Sequence, residues 1–325
     1  MKIMLKKISF LLLILLSGPA MTFAQPVPGL DENIPHLVTF GSEGDIGWGD
    51  DNFCQIIFFK IPRSYTEPVY VRVYDPDTGG GIDEQKGDWN TVMSYSIFGG
   101  DGAWSEKDAQ DMVLDGNYDS GTLLASKEFD ANTKYDGKWY TFGPFNPSEG
   151  ELRSEFGGYV FKIIIEGISG DDGNLYNLYL SNHPDRNHDV EGASAFYYKY
   201  KFRLHDDINE VAHIYPHIDE NVVSIKQTNF DWDNDGRIQI VSLARPGDET
   251  MKIGGDKQWV SSTHKIFDEE RTNSLDLQMI KSQRGNINNN NVVIFLENQY
   301  GEKLPFFSIP IGEYKYHSSI SVEGF

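Results

Sequence analysis

The repeated alternation of side chains with a period of two constrains this chain more than any other feature. In "VYVRVY", Val69, Val71 and Val73 fall on one side and Tyr70, Arg72 and Tyr74 on the other. That is the pattern of a half-buried strand. "TVMSYSIF", "GYVFKIIIEG", "NLYNLYLS", "AFYYKYKFRL" and "NVVIFLEN" repeat the theme, separated by Gly, Asp, Asn and Pro turns. Helical periodicity is scarce, with "EKDAQDMVLDG" near residue 110 offering one short helix. Many short strands pack most simply as sandwiches, and about three hundred mature residues exceed what one small core organises. The expectation is all-β, two tandem antiparallel β-sandwich domains, at residues 25–210 and 211–325. The division falls where "LHDDINEVAHIYPHIDENV" (204–222) breaks the alternation around Pro216. The run "NINNNNVV" enters a strand directly and reads as a hairpin turn.

The first residues address the compartment. "MKIMLKK" is a basic start, "FLLLILL" an apolar segment too short to span a bilayer, and "TFA" before Gln25 supplies small residues for cleavage. Residues 1–24 read as a removable secretory signal, with no transmembrane segment after its removal. The expected location is secreted, periplasmic or cell-surface. Once Lys2, Lys6 and Lys7 leave, the formal charge of −21 falls by three, to −24. Such acidity opposes nucleic-acid binding, which rests on neutralising phosphates, and suits solubility or cation binding. Cys54 is the single cysteine, so no internal disulfide forms, and its setting in "FCQIIFF" reads as a buried core thiol.

Three acidic loops carry the chemistry the sequence advertises. "YDPDTGGGIDE" supplies Asp75, Asp77 and Asp83; "GISGDDGNLYNLYLS" supplies Asp171, Asp172 and Asn174; "FDWDNDGRIQI" supplies Asp231, Asp233 and Asp235, closed by Gly236. Calcium takes several oxygen ligands in an adaptable shell, and alternate aspartates on a glycine-closed turn provide them. The third loop begins like an EF-hand. Position twelve, however, is Ser242 rather than a bidentate Glu, and "RIQIVSL" alternates like a strand. A calcium loop on a β-scaffold and a solvated Asx-turn hairpin both fit. The first two loops either pool their carboxylates around one cation or solvate separate turns.

The stretches "YVRVYDPDTGG", "GKWYTFGPFNPSEGEL" and "YVFKIIIEGISGDDGNLYNLYLS" together resemble the calcium-binding jelly-roll or C2-like β-sandwich modules of secreted bacterial proteins, including pre-peptidase C-terminal domains. The likeness covers roughly residues 35–205. It implies binding, anchoring or stabilisation rather than catalysis, with Asp75, Asp77, Asp171, Asp172 and Asn174 as metal ligands.

No catalytic residue is assigned. His213 and His217 have zinc spacing only on a helix, which Pro216 opposes, and Ile214 stands where a zincin has Glu. They read as linker histidines. "GISGD" and "GASAF" fail the nucleophile-elbow pattern, and the 49 acidic residues make carboxylate pairs uninformative. Carbohydrate binding competes more seriously, because Trp48, Trp89 and Trp104 sit among glycine and polar residues, as stacking platforms do. The sequence therefore points first to an exported, non-enzymatic binding or structural protein with calcium-stabilised loops. Its partner is a cell-surface protein or a polysaccharide. A polysaccharide-binding accessory protein and a hydrolase with an unrecognised site are the alternatives.

Overall fold

A computed structural model describes residues 26–113, 115–282 and 290–315; the segment 1–24, expected to be a secretory signal, and most of the asparagine run, expected to form a hairpin turn, lie outside the described residues. The fold is all-β, built from two large antiparallel sheets that form two sandwich-like units. Helical structure among the described residues consists of four single 3-10 turns, Leu30–Glu32, Ile46–Trp48, Pro147–Glu149 and Asp268–Glu270.

The nine-stranded sheet runs in the order Trp259–Lys265, Ser224–Phe230, Asn291–Asn298, Lys199–Arg203, His36–Phe40, Gly173–Ser181, Val69–Tyr74, Trp139–Phe145, with Pro26–Val27 also on Gly173–Ser181. In the twelve-stranded sheet, Phe306–Phe307 pairs with Ser194–Tyr197 on one side and Val211–Ile218 on the other. Strands from before and after residue 210 thus meet inside both sheets. The apolar faces between the sheets merge into one cluster that includes Val71, Phe161, Leu178, Ile214, Ile240 and Leu296. Each fully buried side chain of this kind contributes about 1.5–3 kcal/mol, and Cys54 is buried in a second apolar cluster with Ile56, Phe58 and Ile164.

Two local expectations are corrected. Residues 101–113 form successive turns rather than a helix, because Asp108 and Glu106 bond locally: Ala109 N–H donates to Glu106 O, and Asn117 N–H to the Asp108 carboxylate. The stretch around Pro216 is not a linker but the strand Val211–Ile218. Its alternation is disguised because Tyr215 and Pro216 are both buried. Pro216 is accommodated opposite Phe306 at a two-residue partner, and its carbonyl accepts from Leu275 N–H. On a strand, positions four apart are about 13 Å apart, so His213 and His217 do not converge. His213 instead faces Asp276, at 2.7 Å, and His217 lies edge-on to Phe307.

Glu32 anchors the N-terminal turn to the core. Wholly buried, it accepts from Gly29 N–H and from the hydroxyls of Tyr197 and Tyr200. Burial pushes its carboxyl from 4.5 up to about 8. The folded state therefore holds a proton that the unfolded chain has lost, and stability falls as pH rises from 4.5 to about 8. In urea denaturation across that range, Glu32→Gln should gain on the wild type by about 1.4 kcal/mol per pH unit. A pH-independent difference between the two proteins would refute this account of Glu32.

Candidate cation-binding loops

The first loop folds back on itself through its own acids. Asp75, in left-handed conformation at φ 54°, and Asp77 are 1 % and 0 % exposed. Each has one oxygen bonded to the backbone of the 132–138 turn: Gly137 N–H donates to Asp75 Oδ2 at 3.1 Å, and Tyr135 N–H to Asp77 Oδ2 at 2.7 Å. The other oxygen of each, and the Thr78 hydroxyl, is buried without a hydrogen-bond partner. Asp83 accepts from Gly79 N–H at 2.8 Å and Leu175 N–H at 2.7 Å. Gly80 has a structural reason, since a Cβ there would sit 2.4 Å from Asp136 Oδ1.

Loops one and two do meet, but not by pooling carboxylates. Asn174 is fully buried, and its amide donates to the carbonyls of both Asp75 and Asp77 at 3.0 Å while its oxygen accepts from Tyr95 at 2.6 Å. Asp172 turns away from the first loop and accepts from Lys86 N–H at 2.8 Å, Asn90 N–H at 2.9 Å and the Thr91 hydroxyl at 3.2 Å. Asp171 keeps one buried oxygen without a partner. The second loop is therefore a clamp on the first.

Electrostatics marks the first loop. Burial, then the neighbouring charges of Asp136 and Asp77, pushes Asp75 up to about 7. Burial, then Asp75 and Asp77, pushes Asp83 up to about 8. Asp77 is raised chiefly by burial. Among the described residues no lysine or arginine pairs with these three acids. Some other buried acids do have such partners: Asp50 and Asp51 pair with fully buried Lys201.

The third loop is the tightest acidic group. Asp231, Asp233 and Asn234 hold φ between 54° and 59°, a conformation short Asx side chains tolerate. Gly236 is obligatory, because a Cβ there would meet Ile280 O at 1.9 Å. Buried Trp232 pins the turn by donating from Nε1 to Asp235 O at 2.8 Å. Asp231 Oδ1 accepts from Lys257 N–H at 2.8 Å. Asp235 accepts from Ser282 at 3.0 Å, with Lys281 Nζ 3.7 Å away. Asp233 keeps both oxygens buried without a partner. Burial first, then the charges of Asp231, Asp256 and Asp235, raise it to about 7.

Oxygens of Asp231, Asp233 and Asp256 lie within 4.8 Å of one another, so Asp235 belongs to Lys281 and Ser282 while Asp256 completes the group. Sequence reasoning missed Asp256 and Asp136, because each is a lone acid in a glycine turn, "GGDK" and "YDGK", with nothing local to mark it. The tryptophans are separate. Trp48 lies against Phe40 at 5.6 Å under Lys86, and Trp104 donates to Tyr198 and packs on Phe156 within a different apolar cluster. Trp89 is half-buried.

Compared with known proteins, the chain matches no family model and no curated sequence. Site geometry is therefore the ground for the functional reading.

Asn174 offers a direct check of the clamp. Asn174→Ala removes three buried hydrogen bonds and should lower unfolding free energy by about 3 kcal/mol in urea denaturation. A loss below about 1 kcal/mol would show that the two loops hold together without it.

Proposed function

We propose that this chain is an exported, non-enzymatic binding or structural protein whose acidic loops are neutralised and ordered by calcium. The observation that carries the reading is Asp233, whose two carboxylate oxygens are buried without partners beside oxygens of Asp231 and Asp256. An uncompensated buried carboxylate is costly, and buried Asp231 and exposed Asp256 beside it add repulsion. A hard divalent cation removes both penalties at once, and all-oxygen ligands favour calcium over softer metals. Asp75 and Asp77, each with one unpartnered buried oxygen, repeat the arrangement in the first loop. The role is mechanical: the cation fixes strand connections and presents a rigid surface to a cell-surface protein or polysaccharide. The leader at residues 1–24 supports export, and a secreted product beginning at Gln25 is expected by mass spectrometry.

Thermal unfolding with EDTA, millimolar calcium or magnesium tests the reading. Calcium at a hundred times its dissociation constant should add about 2.7 kcal/mol per site, with magnesium far weaker. Asp233→Asn should be more stable than wild type in EDTA, because it removes repulsion, yet lose its share of the calcium response. Asp77→Asn should lose a further, additive share, since the two loops have no ligand in common. A calcium-independent midpoint would overturn the reading.

A further inference from the structure

The outer face of the sheet around Val69–Tyr74 carries a second kind of site. Val69, Val71 and Val73 face the core, which sends Tyr70, Arg72 and Tyr74 outward. In the ladder, Tyr179 stands opposite Arg72, and Trp139 opposite Tyr74. Directly opposed residues share a face. The Trp139 ring accordingly lies 5.4 Å from Tyr74 and 6.4 Å, edge-on, from Tyr179, with the Arg72 guanidinium 5.1 Å from its centre.

The loop 182–189, "NHPDRNHD", closes over this platform and is fixed to it. Tyr179 donates to Asp189, Arg72 to Asn187, and Thr141 to Pro184 O at 2.8 Å. Ser181 donates to the carbonyls of His183 and Arg186, and Asn182 to that of Asp189. The rings and polar groups are thus held in place before any ligand arrives, which reduces the entropic cost of binding.

Tyr179, Asn187 and Asp189 form a ridge with an open hollow on each side. One, of about 540 Å³, extends past Trp139 toward exposed Leu30. The other, of about 650 Å³, extends to Tyr65, Glu67 and Asn182, and continues through those residues into a hollow of about 300 Å³ at Tyr70. The three hollows adjoin through these shared residues and are all open to solvent, and we read them together as one trough with Trp139, Tyr179, Tyr65 and Tyr70 along it.

The geometry points to this trough as a binding site for a neutral polysaccharide chain. Ring faces suit the apolar faces of sugars, while the Asn187 amide, Asp189 and Glu67 offer donors and acceptors for hydroxyls. Charge selects neutrality: Arg72 is committed to Trp139, Thr141 and Asn187, and the acids Glu67, Asp189 and Glu191 remain to repel phosphate, sulfate or uronate. An open trough accepts a polymer whose ends run on. This goes beyond the calcium reading and does not depend on it, because none of the trough residues is a candidate cation ligand.

Affinity electrophoresis of the secreted chain through gels holding laminarin, xyloglucan or mannan tests the site, with polygalacturonate and an oligolysine peptide as charged controls. At least one neutral polysaccharide should retard the chain. Trp139→Ala should weaken that binding about tenfold, equivalent to about 1.4 kcal/mol. Tyr65→Ala, at the far end of the trough, should weaken it several-fold and covers the case in which Trp139→Ala misfolds. Trp259→Ala, on an exposed ring on another strand, should leave it unchanged. Retardation by none of the three, retardation insensitive to both trough variants, or preference for either charged control overturns the inference. Calcium-free and calcium-loaded gels separate its failure from that of the calcium reading.

Discussion

The hydrogen-bond ladder of the strand Gly173–Ser181 is the constraint on which the rest of the structure depends. It pairs with His36–Phe40 and, further along, Pro26–Val27 on one side and with Val69–Tyr74 on the other. Its first turn places Asp172 and Asn174 where they bind the backbones of residues 75–91, and its outward side chains include Tyr179. Both the acidic loop and the aromatic trough hang from this one element. A one-residue slip would turn Leu178 and Leu180 out of the core and Tyr179 into it. Register is therefore enforced by burial as well as by the ladder.

The molecule treats its buried charges in two ways. Lys201 sits among Asp50, Asp51 and Asn52, and Lys162 donates to the carbonyls of Tyr118 and Ser120. These are closed sets in which every charge is answered from within, as a protein without disulfides requires of polar groups in its interior. Asp75, Asp77 and Asp233 are different: backbone geometry holds them inside, at the cost of left-handed residues, with oxygens left over. On the calcium proposal, this strain and uncompensated charge are what the cation answers.

Much of this was legible in the sequence. Alternation in "VYVRVY" and "NLYNLYLS" assigned strands and faces correctly, because a period of two leaves each side chain only two directions. The turn between them was legible too: Asp and Gly clusters mark loops through backbone conformations that other residues resist. "VAHIYPHI" was misread, since a proline and consecutive buried residues erase the alternation that a short, two-sided central strand does not need. The acidic group around Asp233 was half legible. Asp231 and Asp233 stand in one motif, but Asp256 arrives from a turn about twenty residues on in sequence, brought there by pairing of Ser224–Phe230 with Trp259–Lys265.

The sequence by itself determined the fold class, the acidic character and the positions of the loops, because these follow from local periodicity, composition and turn chemistry. Tertiary structure alone decided which acids keep an unanswered oxygen and which are satisfied. Asp172 and Asp75 look alike in sequence, yet one meets three donors and the other meets one. It alone decided as well that Trp139, Tyr179 and Tyr65 line adjoining hollows, while Trp48 and Trp104 turn into separate apolar clusters. Donor counts and shared faces are properties of strand pairing between distant segments, and no local pattern encodes them.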